Sequence, residues 1–110
     1  MRAINSKILE MNQHTISLQL AETLTHAYQN APYFQGLTVA CKIDADDYQE
    51  LINQVGCAGV RTYFAINETG NLTIVVVGVD LSGNDMTDGI ILNKGKNCPT
   101  YCESNSSLMI

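Results

Sequence analysis

The chain has no tryptophan, only two prolines, and few charges: Asp, Glu, Lys and Arg make up 15% of its 110 residues. Basic residues are the scarcer sign, six against eleven acidic ones for a net charge of -5, and they form no block beyond Lys94-Gly95-Lys96. A surface of that sign repels phosphate backbones and anionic lipid, so neither nucleic acid nor a membrane is expected as a partner. No apolar run approaches bilayer-spanning length. Glu10, Asn12, Gln13 and His14 stand where a signal peptide needs its apolar core, so the chain is expected to be soluble and cytoplasmic.

Also missing are a Gly-rich phosphate loop opening a helix, a Gly-x-Ser-x-Gly elbow, and a Ser, His and Asp set marked out by its setting. Nothing in the residues argues for catalysis, and the expected role is non-enzymatic. The four cysteines (Cys41, Cys57, Cys98, Cys102) are too thinly spread for a secreted disulfide scaffold.

What is present is an aliphatic composition, 45% hydrophobic, in a length suited to one core. Residues 1–110 therefore read as a single domain, with a weakly ordered lead-in over 1–15 and a polar, cysteine-containing tail over 94–110. Ser17 is an N-cap candidate, and Leu20, Ala21, Leu24, Ala27 and Tyr28 recur at helical spacing until Pro32. His26 falls on the solvent side of that helix. Leu37, Val39, Cys41 and Ile43 alternate as in a half-buried strand, with Cys41 pointing inward. Asp44 then caps a second helix whose buried stripe is Tyr48, Leu51, Ile52 and Val55, closed by Gly56. The carboxylates of Asp44, Asp46, Asp47 and Glu50 complement its dipole, a structural use.

Two strands, 60–66 and 72–79, flank Asn67-Glu68-Thr69-Gly70-Asn71, where Gly70 supplies the left-handed residue of a bulged turn. With Asn67 facing Asn71, one face carries Val60, Thr62, Phe64, Ile66, Leu72, Ile74 and Val76, the expected core face. The other carries Arg61, Tyr63, Ala65, Thr73, Val75, Val77 and Val79, which is too apolar to lie bare in water. Ile90-Ile91-Leu92 reads as an edge strand. The fold class is α+β: a two-layer domain, with two main helices packed on a small antiparallel sheet.

Gly59-Val-Arg61-Thr-Tyr63, Val77-Gly-Val-Asp80-Leu-Ser-Gly83-Asn-Asp85 and Cys98-Pro-Thr-Tyr-Cys102 occur in this order. Through them the C-terminal half resembles a family of short bacterial proteins without an established activity. The resemblance implies a bacterial, intracellular origin and brings no substrate or catalytic residue.

Three chemistries remain. Pro99 suits the first position of a helical turn, placing Cys98 at its N-terminus where thiolate is favoured, and Cys102 four residues on lies within reach of a bridge or a shared metal. With Cys57, and with Cys41 or a histidine, this pair supplies the donors for zinc, although the spacing is one residue longer than a Cys-x-x-Cys motif. Asp80, Ser82, Asn84, Asp85 and Asp88 offer oxygen ligands suited to calcium, and the same residue types are those of a tight turn. Arg61 and Tyr63 suit a small anionic ligand, or an ion pair of Arg61 with Asp80 or Asp85. No cofactor is predicted, and no particular small molecule is indicated. The leading expectation is a structural or interaction protein acting as a homo-oligomer through Tyr63, Val75 and Val77. A thiol-dependent redox or metal protein and an anionic-ligand binder are the alternatives.

Overall fold

Ser17 opens the first helix as its position requires: its backbone is extended (φ -72°, ψ 156°) and its hydroxyl accepts the Leu20 N–H at 3.1 Å. The computed structural model describes residues 13–34 and 37–110. Most of the expected lead-in lies outside them. Helix α1 (Leu18–Asn30) ends before Pro32, and a 3-10 turn (Pro32–Phe34) follows. Next come β1 (Ala40–Lys42), α2 (Ala45–Ile52), β2 (Gly59–Ile66), β3 (Leu72–Val79), β4 (Ile91–Leu92) and β5 (Lys96–Cys98). Among the described residues no helix is long and apolar enough to cross a membrane.

The turn between β2 and β3 is built as the sequence predicts. Gly70 has φ 84°, and the Asn67 N–H bonds the Asn71 carbonyl at 2.9 Å. Asn67 Oδ1 accepts the N–H groups of Thr69 and Asn71, pinning the corner. The resulting register sets Phe64 against Ile74, Thr62 against Val76 and Arg61 against Val77. β4 lies on the far side of β3, so the sheet runs β2-β3-β4 with β3 in the middle. A separate antiparallel pair joins β1 to β5, with Ala40 opposite Cys98. The strand expected over 37–43 is thus three residues long, because its partner in the tail is equally short.

Both helices serve the Phe64/Val76 face. Leu51 of α2 is fully buried (0% exposed). Gly78 shares the face of Val76, and a Cβ there would stand 3.1 Å from both Cys57 Sγ and Gln54 Nε2. Its bare backbone lets the end of α2 close onto β3. Gln54 fastens that junction by donating to the Leu51 carbonyl and accepting the Ile90 N–H, both at 2.8 Å. α1 stands off the same face across an open apolar cavity of about 350 Å³ lined by Leu24, Tyr28, Val39, Cys41, Phe64 and Ile74.

Two expectations about burial change. The stripe of α2 is narrower than read: the helix stops at Ile52, so Val55 has left its face and is 98% exposed, and Ile52 is exposed too. The second change concerns the sheet. On the face of Tyr63, Val75 and Val77, which was expected to be covered by a second copy, Val77 is 3% exposed and Thr73 is buried within a single chain, Val75 is half-buried, and Tyr63 stays 46% exposed. Among the described residues β3 is central and has buried side chains on both faces, whereas β2 is outermost and exposes Val60, Phe64 (82%) and Ile66 (69%), residues expected in the core.

Leu51→Ala, which empties a fully enclosed site, is expected to lower unfolding free energy by about 2 to 5 kcal/mol. Val55→Ala, changing an exposed side chain, stays within about 0.5 kcal/mol. Urea unfolding of the two variants beside wild type measures both.

Candidate functional site

The chemistry-bearing residues fall into three places. The first lies across β3. The segment after β3 turns back at Asp80, whose Oδ1 accepts the N–H groups of Ser82 and Asn84 at 2.9 Å, with Gly83 at φ 85°. The returning chain pairs Asp85 beside Val79, on the side of β3 away from β2. One Asp85 oxygen accepts from the Arg61 guanidinium and the other from the Tyr63 hydroxyl. To reach Asp85 the Arg61 and Tyr63 side chains cross β3, and Arg61 stands directly opposite Val77, so the pair roofs that valine.

This cluster assigns several expected site residues. Arg61 pairs with Asp85, as one of the readings required, and Asp80 is spent on its own turn. The hydrogen bond from Tyr63 and the adjacent Arg61 hold the Asp85 carboxyl below its usual range. The bond to Asp85 raises the Tyr63 phenol, and the same carboxylate raises Arg61. The Arg61 charge is thus matched inside the chain, while its side chain stays 44% exposed.

The second place is the start of the tail. Cys98 and Cys102 are joined by a disulfide, with Cα atoms 4.8 Å apart. Cys98, at the end of β5, is buried, and Cys102 is exposed. Lys42, Cys41, Lys96, Tyr101, Glu103 and Met109 share with them the wall of a cavity of about 510 Å³. The Lys96 ammonium stands 5.3 Å from the centre of the Tyr101 ring. Cys41 is half-buried as a free thiol, and burial pushes its pKa up. Cys57 is not brought to this pair: its thiol lies against β3 and donates to the Gly59 carbonyl at 3.2 Å. Among the described residues no three His, Cys, Asp or Glu side chains converge as a metal site would require.

The third place was not read from the sequence. Residues 107–110 lie along α1, where Thr25, His26 and Gln29 bond their main chain. His26 is therefore half-buried and engaged, not a solvent-side residue. The available signal was the polar set Thr25, His26 and Gln29, at i, i+1 and i+4 on one helix, next to the apolar stripe.

Two measurements follow from these arrangements. Asp85 is depressed on folding, so its stabilisation is full above the ordinary carboxylate range and is lost as pH falls through its lowered value. Tyr63 is raised, so its contribution is full below the ordinary phenol range and is lost as pH rises through its raised value. Asp85→Asn is expected to flatten the acid limb of a stability-versus-pH curve and to return Tyr63 towards ordinary tyrosine in ultraviolet titration. In the unreduced folded protein, alkylation followed by mass spectrometry is expected to label Cys41 and Cys57 alone, and Cys41 slowly. Compared with protein-family models, with curated proteins and with solved structures, the chain matches none.

Proposed function

We propose that this chain is a small non-enzymatic interaction protein acting as a homo-oligomer, joined through the outer edge of β2. One observation carries the reading: β2, outermost among the described residues, presents Val60, Phe64 and Ile66 to solvent on one face, with Thr62 the single polar residue between them. Rows of this kind on edge strands are pairing surfaces, and proteins that stay monomeric blunt them with charge, proline or a covering loop. On β2 the single charge, Arg61, is turned to the opposite face and matched by Asp85.

The backbone supports the same reading. The Asn67-to-Asn71 bond sets the alternation of the ladder, so Ala65, Tyr63 and Arg61 direct their main-chain groups to β3. Val60, Thr62, Phe64 and Ile66 then direct theirs outward, and among the described residues no strand meets them. A symmetric contact between two β2 edges satisfies those groups and covers Phe64 and Ile66 twice over. On this reading the surface is the β2 row in place of the Tyr63, Val75 and Val77 face, because Val77 is already buried within one chain.

Sedimentation velocity over a concentration series tests this. Wild type is expected to associate. Phe64→Asp, and separately Thr62→Pro, which deletes an outward N–H and leaves the ladder to β3 intact, are expected to sediment as folded monomers. A wild type that remains monomeric at every concentration would defeat the proposal.

A second reading, thiol exchange, is favoured by the exposed Cys102 sulfur. A partner thiolate attacking it would break the bond to Cys98, leaving Cys98 as a thiol and a mixed disulfide on Cys102. The reduction potential separates the two roles, since structural disulfides lie below about -300 mV and exchanging ones above.

A further inference from the structure

The face of the β1–β5 pair that carries the disulfide also carries two lysines. Paired residues share a face and side chains alternate along a strand, so the register of Ala40 with Cys98 and of Lys42 with Lys96 puts Lys42, Lys96 and Cys98 on one side. Like charges set directly opposite across a ladder repel, and these two are only partly neutralised. Lys42 has Asp44 at 3.4 Å, an exposed contact that water weakens. Lys96 stands over the Tyr101 ring and, among the described residues, forms no ion pair. Both lysines and both disulfide cysteines line the cavity of about 510 Å³, a volume in the range that holds small ligands. Glu103, the carboxylate on the same wall, is engaged by the Asn105 N–H at 2.9 Å.

We infer that this cavity is the docking site of a low-molecular-weight thiol bearing a carboxylate, which exchanges with the Cys98–Cys102 disulfide. The inference rests on the thiol-exchange reading above and names its partner by chemical class. The carboxylate sits against Lys42 and Lys96, where it relieves their repulsion, and the thiolate attacks the exposed Cys102 sulfur. A sulfur–sulfur bond forms between the small thiol and Cys102 as the bond from Cys102 to Cys98 breaks. The electron pair of the broken bond leaves on Cys98, which takes up a proton from water, so the incoming thiol is oxidised and Cys98 is reduced. Lys96, two residues before Cys98 on the same face, favours that departure by stabilising the leaving thiolate. Cys98 is 2% exposed and closed to direct attack, so Cys102 is the sulfur that carries the adduct.

The test mixes the oxidised full-length chain with an excess of mercaptopropionate, which is anionic, or of mercaptoethanol, which is neutral. Samples are quenched in acid and read by intact mass, and the sum of adduct and dithiol gives the rate of opening. The readout is the ratio of the anionic to the neutral rate, which cancels any change in the reactivity of the disulfide itself. Lys42→Gln and Lys96→Gln are each expected to lower that ratio about fivefold, and high salt to lower the wild-type ratio in the same direction. Lys94→Gln, the same loss of charge outside the cavity wall, is expected to leave it unchanged. All three substitutions are at exposed residues, and thermal melts confirm that the variants fold. Peptide mapping is expected to find the first adduct on Cys102. The same ratio in wild type and both cavity variants, an equal fall in Lys94→Gln, or a first adduct on Cys98 would overturn the inference and leave thiol exchange standing. A wild type opened by neither thiol would overturn the exchange reading with it.

Discussion

The register of the β2–β3 ribbon is the constraint on which the rest of the structure is mounted. Side chains alternate along a strand, so a slip of one residue would exchange the two faces of the ribbon and undo every tertiary contact at once. Asn67 prevents that slip: its side-chain oxygen holds two N–H groups of the turn while Gly70 takes the left-handed position. With the register fixed, Gly78 comes under the end of α2, Val76 comes under the helical layer, and Arg61 and Tyr63 come to the side from which they reach Asp85. Moving any one of these by a residue would place a side chain where Gln54 and Cys57 need bare backbone.

A notable part of the joining is polar. Leu51, Val76, Val77 and Cys98 are the buried apolar side chains among the described residues. Gln54 links α2 to the chain before β4, Asp85 links the returning loop to β2, and Gln29 links α1 to the tail. Each is a single side chain bonded to segments distant in sequence. The arrangement suits a domain whose apolar surface is only partly consumed inside the chain, with Phe64 and Ile66 along β2 left exposed.

What could be read from the sequence follows the range of the interaction. The cap at Ser17, the turn around Gly70, the ribbon register, the dipole-matched carboxylates of α2 and the closeness of Cys98 to Cys102 depend on residues a few positions apart, and periodicity reveals them. The exposure of Phe64 and the burial of Val77 depend on which strand is central. That is a property of strand order, and β4, only two residues long, carries too little pattern to announce it. The Arg61–Asp85 pair was within reach because the residue types were right and the choice was between two aspartates. The clasp of α1 on the tail escaped because its acceptors are main-chain atoms, which every sequence possesses alike.

The span of that clasp bears on how the chain acquires its structure. The β2–β3 ribbon closes across a five-residue turn and can form within microseconds, whereas Thr25 and Leu108 meet across 83 positions and β1 must find β5 from the far side of the ribbon. Long loops close late, so the ribbon exists for a time with both faces and its outer edge uncovered. During synthesis residues 107–110 emerge after the ribbon, and a chain still waiting for them presents its strand edge to every neighbouring copy. Crowded, rapid expression therefore favours tangled assembly, and slow production at low temperature favours the folded chain.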